Sequence, residues 1–504
     1  MKIKIMKSFK YLFFFLVFNL GISHASVLDQ KINSGMDAAY NFNFNKASKI
    51  FQQVAHNYPK KPEGYHYLSM LYLWYYLGSK SEIEYSSFVR YSDIALDLAK
   101  RDLDANENSD NANYILAQIY TLRAMANAKK QNSFEAFWAT KKAVDFYKTT
   151  LKINPKYYDA YYGLGLFKYT LSFVPSLFNW ALKVTGLSGD KIEGLRLLKK
   201  SFKYGKTTKV ESAYHLSRIY VDFIADYDSS EAYLSPISSK YPRNIIFNYQ
   251  HALLNLNRRE LNKADNYLDK ILSLRDSKFV QTNSFAFFLK GEIEFRNNNF
   301  AKANEFYDKF LTTTKDFDYS GIAYFNMAVC SFAMENPEEG KKQLLLARNG
   351  NDDIPDDNYA KRRSAILFEN GISQHQLKIF IANNYLLSGN YSKSISLLKP
   401  IIDSLNESDQ KGEALLILSD ALLNVGRIRE ALNYSIQGAK LEIKNEKWIY
   451  PNILFISAKA HKYAGKWKDS RQILLEAERN NDSDFKDKLT PKINYLKKQL
   501  KIIL

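Results

Sequence analysis

Apolar positions recur at intervals of three and four over most of the 504 residues, and strand-like alternation is scarce, so the chain reads as all-α. A finer periodicity lies on top of this one. Small residues come in pairs 12 positions apart: Gly35 with Ala47, Ala252 with Ala264, Gly291 with Ala303, Ala328 with Gly340, Ala382 with Ser394, Ser419 with Ala431, and Ala458 with Ser470. Two helices that cross closely need a small side chain on each at the crossing, and the spacing leaves room for the rest of the first helix and a tight turn. Gly389, Gly426 and Gly465 each fall seven residues after the first member of a pair, where a helix-ending residue takes positive φ. The pattern predicts helical hairpins stacked as an α-solenoid.

Larger residues fill the other columns: Phe300, Tyr307 and Phe310 follow Gly291, and Leu344 and Ala347 follow Ala328. Gly35, Ala47, Phe51 and Pro59 form one unit, and Tyr65, Leu68 and Ser69 restart it, Ser69 lying 34 residues after Gly35. Ala143, Tyr147 and Pro155 close another unit before Tyr161, Leu164 and Gly165 open the next. This resembles the tetratricopeptide repeat (TPR), whose small residues, aromatics and closing Pro recur every 34 residues. About ten helical pairs are expected. They divide into N-terminal TPR-like repeats with insertions over 28–245, central repeats over 246–350 and C-terminal repeats over 375–480. Irregular material is expected near 75–90, 120–140, 168–188, 222–242 and 348–374. The segment 485–504 reads as a capping helix, opened by Thr490 and Pro491 and striped by Ile493, Leu496, Leu500 and Ile503.

The first helix of each hairpin lines the concave side of a solenoid. One column of that wall, three residues before the first small position, reads Tyr249, Phe288, Phe325, Ile379, Leu416 and Phe455. Every entry is apolar, which suggests an apolar peptide or helix as ligand; packing against neighbouring hairpins or against an inserted segment explains the same column equally well. The column four residues later reads Leu253, Glu292, Val329, Asn383, Asp420 and Lys459, which does not support a clamp for a peptide's terminal carboxylate.

Gly165 finds its small partner only at Gly194, 29 residues on instead of 12. The excess is an apolar insertion near 168–188 containing Phe173, Phe178, Trp180 and Leu187, with Lys183 as its only charge between Phe173 and Leu187. Filling the groove or plugging the flank of the solenoid is the favoured role for it, and a contact surface for partner or membrane the other. After it, Asp190 lies three residues before Glu193 and just ahead of an apolar stripe, the layout of a capping box, while Gly186 and Gly189 let the chain reverse. Gly189, Asp190, Glu193 and Gly194 are therefore read as turn and cap. Ser172, Phe173, Val174 and Pro175, then Gly186, Leu187, Gly189, Asp190 and Lys191, then Gly194 and Leu195 resemble the tetratricopeptide repeat 39 and inclusion-body-clearance proteins of eukaryotes over about residues 160–205. Lys191 stands where those proteins have arginine. The resemblance implies a non-enzymatic protein and suggests lipid handling and clearance of aggregates.

Lys2, Lys4, Lys7 and Lys10 precede an apolar run from Tyr11 to Leu20 and a small-residue exit ending at Ala25, so 1–25 reads as a signal peptide cleaved after Ala25, with an uncleaved anchor as the alternative. Export to the periplasm, the cell envelope or the extracellular space follows as an expectation. The net charge of +18 falls to +14 without those four lysines, and the remaining charges are scattered rather than blocked, which argues against nucleic acid. Cys330 is the one cysteine, so no internal disulfide can form. The seven histidines show no metal spacing, and no phosphate-binding Gly-rich loop or nucleophile motif is present. The expectation is an exported non-enzymatic scaffold for protein partners without cofactor or metal. A peripheral lipid-binding module using the groove and the insertion is the alternative.

Overall fold

The computed structural model describes residues 27–174, 179–274 and 277–502; the signal segment 1–25, Phe178 and the last two residues of the capping segment lie outside them. Among the described residues the chain forms helices and no strand. Eleven antiparallel hairpins follow one another. They pair Val27–Tyr40 with Phe44–Asn57, Glu63–Ser79 with Glu82–Ala105, Asp110–Lys129 with Ser133–Ile153, Ala160–Leu171 with Lys191–Tyr204, and Lys209–Ile219 with Tyr227–Lys240. The sixth to eighth pair Ile245–Asn257 with Leu261–Leu274, Val280–Arg296 with Phe300–Thr313, and Ser320–Ala333 with Pro337–Leu346. The last three pair Gln374–Leu387 with Tyr391–Leu398, Ser408–Asn424 with Ile428–Ala439, and Ile449–Tyr463 with Trp467–Arg479. A lone helix, Pro355–Asn370, stands between the eighth and ninth hairpins, and Lys486–Gln499 closes the array. The fold is the expected all-α, TPR-like solenoid.

The small residues meet where the spacing places them. Ala47, Ala252, Ala264, Ala303, Ala328, Ala382, Ala431 and Ala458 are fully buried, and the Ser470 hydroxyl donates to the Ala458 carbonyl at 2.7 Å across the crossing. A Cβ on Gly291 would lie 2.7 Å from the Tyr307 ring, so glycine there makes room for the aromatic column. Gly389, Gly426 and Gly465 have φ of +77°, +77° and +76° as expected. The same left-handed position is held by Phe42, Arg259, Asn298 and Glu335 in four other hairpins, at φ between 57° and 63°. Backbone geometry is thus common to all seven pairs and glycine to three.

The segments 75–90 and 120–140 are not irregular. Helices Glu63–Ser79, Glu82–Ala105, Asp110–Lys129 and Ser133–Ile153 run through them, longer than the repeat standard, so the small-residue register is lost while the hairpin persists. Loops between hairpins are fixed by carboxylates: Asp159 Oδ1 accepts from the backbone N–H of Lys206, Thr207 and Thr208 at 2.8–2.9 Å, and Asp409 accepts from Lys444 and Asn445 at 2.7 and 2.9 Å.

The array winds tightly enough to touch itself. Phe279 is buried between Phe42, Phe44 and Tyr75, with ring centroids 4.9, 5.3 and 6.1 Å away, and lies against Gly78, whose Cβ would come within 2.4 Å of it. Tyr40 meets Tyr241 at 5.3 Å, Asn244 donates to the Tyr40 carbonyl at 2.7 Å, and Lys278 pairs with Glu84 at 2.7 Å. The first two hairpins therefore dock on the fifth to seventh. A second closure joins the sixth hairpin to the tenth through Arg259 and Asp420 at 2.5 Å, and the seventh to the ninth through Asn384 and Asn298 at 2.9 Å.

Closure encloses polar groups among aromatics. Glu211, half-buried in the fifth hairpin beside Tyr40, Tyr67 and Tyr162, has one carboxylate oxygen with no hydrogen-bond partner. Burial pushes its carboxyl up to about 7, with Asp159 adding to the shift and the Tyr40 hydroxyl opposing it.

Two outcomes follow from closure. Phe279→Ala should cost about 3–5 kcal/mol, read as a lower denaturation midpoint, and small-angle scattering should show a larger radius of gyration as the turns separate. Because Glu211 binds its proton more tightly in the folded chain (about 7 against 4.5), its contribution is present at pH 4 and lost as pH rises through 7. Glu211→Gln should therefore match the parent near pH 4 and exceed it at pH 8 by up to roughly 3 kcal/mol in urea titrations; equal offsets at both pH values would refute this.

Candidate functional site

The insertion sits in the fourth hairpin. Gly165 and Gly194 do form its crossing: a Cβ on Gly165 would lie 2.9 Å from the Gly194 carbonyl oxygen, and one on Gly194 would lie 2.6 Å from the Tyr169 nitrogen. Between them the chain adds a short helix, Asn179–Thr185. The return is a turn capped by Asp190, without the reciprocal bond from Glu193 that a full capping box would add. A Cβ on Gly189 would collide with the Ser172 nitrogen at 2.2 Å, the Asp190 N–H donates to the Lys168 carbonyl at 2.8 Å, and Asp190 Oδ1 accepts from the Glu193 N–H at 2.9 Å. Glu193 in turn holds Arg196 at 2.7 Å.

The short helix has two faces. Leu182 and Leu187 are buried with Val144 against Phe137, Leu164, Phe167, Leu171 and Val174, which anchors the insertion to the flank of the third hairpin. Trp180 and Val184 face solvent, 67% and 80% exposed. Phe173 is partly exposed and meets the Phe223 ring at 4.7 Å, tilted by 42°, with the Lys191 ammonium 4.2 Å above its ring. On the third hairpin Phe134 and Trp138 are also exposed, 6.1 Å apart, Trp138 next to the Phe137 that anchors the insertion. The described residues of the insertion thus pack against both the third hairpin, through Phe137 and Val144, and the first helix of the fourth, through Leu164, Phe167 and Leu171. Sequence reasoning missed Phe134 and Trp138; their signal is two large aromatics four residues apart, on the side of the helix away from Val144.

The six residues of the proposed wall do not line an open groove. Phe288, Phe325, Ile379 and Phe455 are buried, and Tyr249 and Leu416 half-buried. Phe288 is enclosed by Tyr307, Phe310 and Tyr319 at 6.0, 5.2 and 5.3 Å, and Phe325 by Tyr359 and Phe380 at 5.6 and 6.0 Å. Burial also pushes the Tyr249 hydroxyl above its ordinary range, with Tyr319 next in effect. The closing helix Lys486–Gln499 reaches from the last hairpin to the turn Tyr220–Ile224, some way back along the chain, with Leu489, Ile493, Leu496 and Leu500 buried in the C-terminal core. Among the described residues no group of His, Cys, Asp and Glu could hold a metal ion. Burial pushes His66, His215 and His251 down to about 4, which leaves them neutral, and pushes the Cys330 thiol up. No helix among the described residues is long and apolar enough to cross a membrane.

Residues 159–349, which carry the fourth to eighth hairpins and the insertion, match the family model described as Iml2/Tetratricopeptide repeat protein 39. No curated protein matches the chain. Among solved structures, yeast Tom70 is similar at 13% identity and TM-score 0.27, covering 94% of this chain and 96% of its own. The TPR domain of P58(IPK) is similar at 12% identity and TM-score 0.22, covering 94% and 98%, and the Cut9-Hcn1 hetero-tetramer of the APC/C at 14% and 0.27, covering 94% and 91%. The middle part of the chain is thus similar to the tetratricopeptide repeat 39 family.

Proposed function

We propose that this protein is an exported, non-enzymatic scaffold that binds another protein through the flank built by its insertion. The observation that carries this reading is the exposure of Trp180 and Val184 on a short helix whose opposite face is anchored by Leu182, with Leu187 just past its end buried in the same cluster. An exposed tryptophan on a rigid support is the kind of side chain that dominates binding energy in protein interfaces, and Phe134, Trp138 and Phe173 extend the apolar area on neighbouring elements. Export rests on the lysines, apolar run and Ala25 exit of the first 25 residues. The non-enzymatic reading rests on the sequence, which shows no metal-spaced histidines, phosphate-binding Gly-rich loop or nucleophile motif.

A second reading, contact with a lipid surface, draws on the same patch, since Trp180 beside the exposed Lys183 is a pairing that suits a membrane interface. Both side chains of the double variant Trp180→Asp, Val184→Asp are exposed, so its stability should stay within about 0.5 kcal/mol of the parent. Crosslinked capture of a partner from the native envelope should fall at least about tenfold. Unchanged capture refutes the protein-binding reading of this flank, and flotation of the parent, but not the variant, with liposomes would replace it by the lipid reading.

A further inference from the structure

The first closure leaves two adjoining cavities on its seam. One, of about 410 Å³, lies between the turn of the first hairpin at Asn41, Asn43 and Asn45, the second hairpin at Tyr75, and the loops carrying Arg243 and Lys278. The other, of about 510 Å³, is walled by the first hairpin, with Asn33, Ser34, Asp37 and Lys46 along it. Asn41 and Asn43 line both. Two clamps hold the walls in place. Asn244 donates to the carbonyl of Tyr40, 204 positions earlier, at 2.7 Å, and Lys240 reaches Asp37 at 3.1 Å, which sets Arg243 against the turn. On the other side Phe279 sits among Phe42, Phe44 and Tyr75, and the Lys278 ammonium stands 4.1 Å from the Tyr75 ring and 2.7 Å from Glu84.

These walls carry hydrogen-bonding groups that the protein itself does not use. Among the described residues the side chains of Asn45 and Arg243 enter no hydrogen bond or ion pair, and the Asn41 side-chain carbonyl oxygen is buried without a donor. Asn43 accepts from the Lys46 N–H at 3.3 Å through its carbonyl oxygen, which leaves its NH2 group for another acceptor. Charge is matched except at two places. Lys278 is balanced by Glu84 and Asp37 by Lys240, whereas Arg243 in the first cavity and Lys46 in the second have no carboxylate within ion-pair distance among the described residues. Both are exposed, so a solute reaches them from solvent.

We propose that the paired cavities bind a short acidic saccharide, one uronic-acid unit in each, with the carboxylates toward Arg243 and Lys46. A side-chain amide offers donor and acceptor together, as a sugar hydroxyl does, so the two satisfy one another. A hydroxyl also supplies the donor that the buried Asn41 oxygen lacks, and a guanidinium grips a carboxylate through two parallel N–H bonds. One unmatched positive charge in each cavity calls for one negative charge on each unit, which a uronic acid carries and a neutral sugar does not. Both volumes fall within the roughly 300–1,000 Å³ of small-ligand sites. A peptide would need an apolar slot for its side chains, and the rings of Phe44 and Tyr75 are already buried against Phe279. No residue of these walls belongs to the insertion, so the site stands or falls independently of the interface placed there.

The test uses the purified full chain at pH 7 with digalacturonate as probe, and maltose and tri-aspartate at matched ionic strength as controls. Calorimetric titration should give saturable binding of digalacturonate, with each control at least about tenfold weaker. Arg243→Met and Lys46→Met should each weaken digalacturonate binding about tenfold or more, whereas Lys183→Met, on the insertion, should not. Arg243 is exposed and unpaired, so without ligand Arg243→Met should melt with the parent, and lost binding cannot be lost folding. Digalacturonate should then raise the melting temperature of the parent and not of Arg243→Met. Absence of saturation at millimolar concentrations, maltose bound as tightly as digalacturonate, or unchanged affinity in Arg243→Met would overturn the proposal, and tri-aspartate bound as tightly would replace the saccharide by an acidic peptide.

Discussion

Two helices approach closely only where neither carries a bulky side chain at the crossing, and the hairpins of this chain depend on that condition. Gly165 and Gly194 bring backbone against backbone, and Ser470 even donates a hydrogen bond to the opposite helix. Tight crossings set the angle between hairpins, and summed over eleven hairpins that angle sets the pitch of the superhelix. The pitch here brings the second hairpin back against the seventh, where Phe279 fits the space that Gly78 leaves. Closure is thus a distant consequence of small residues 12 positions apart.

Closure also determines what the concave side can do. An open TPR-like array offers a groove; this one fills its own with the aromatic rings around Phe288 and Phe325 and with the closing helix. The polar groups that remain inside are those that closure trapped. Glu211 pays for this with a carboxyl held half-protonated at neutral pH, while His66 and His215 give up their charge. The fourth hairpin is where the chain departs from its repeat, and the insertion leaves Trp180 and Val184 on an outer surface.

How much of this was legible depends on the range of the interaction. Crossings and glycine turns are local and stood in the sequence as spacings. The left-handed turns at Phe42, Arg259, Asn298 and Glu335 did not, because a residue with a Cβ can be held there at a cost of about 1–2 kcal/mol when the hairpin on either side demands it. The end of the helix Glu63–Ser79, from 75 on, read as irregular for a different reason: this helix is covered by its hairpin partner, its neighbours and the returning turn, so its apolar residues go nearly all the way round. Pairings such as Arg259 with Asp420, 161 residues apart, depend on the accumulated pitch and leave no trace in local spacing.

The insertion shows the same division within a single element. Its turn and cap were readable because Gly189 and Asp190 act on neighbours, and the structure places each against the predicted segment. Which of its apolar residues would be covered was not, since that depends on the width of the flank offered by the helix Ser133–Ile153. Phe137 and Val144 on that helix stand seven residues apart and help cover Leu182 and Leu187. A helix of seven residues has too few hydrogen bonds to persist alone. Leu182 within it and Leu187 just beyond its end therefore do more than hide apolar surface: they hold the helix in shape, and so fix the direction in which Trp180 points.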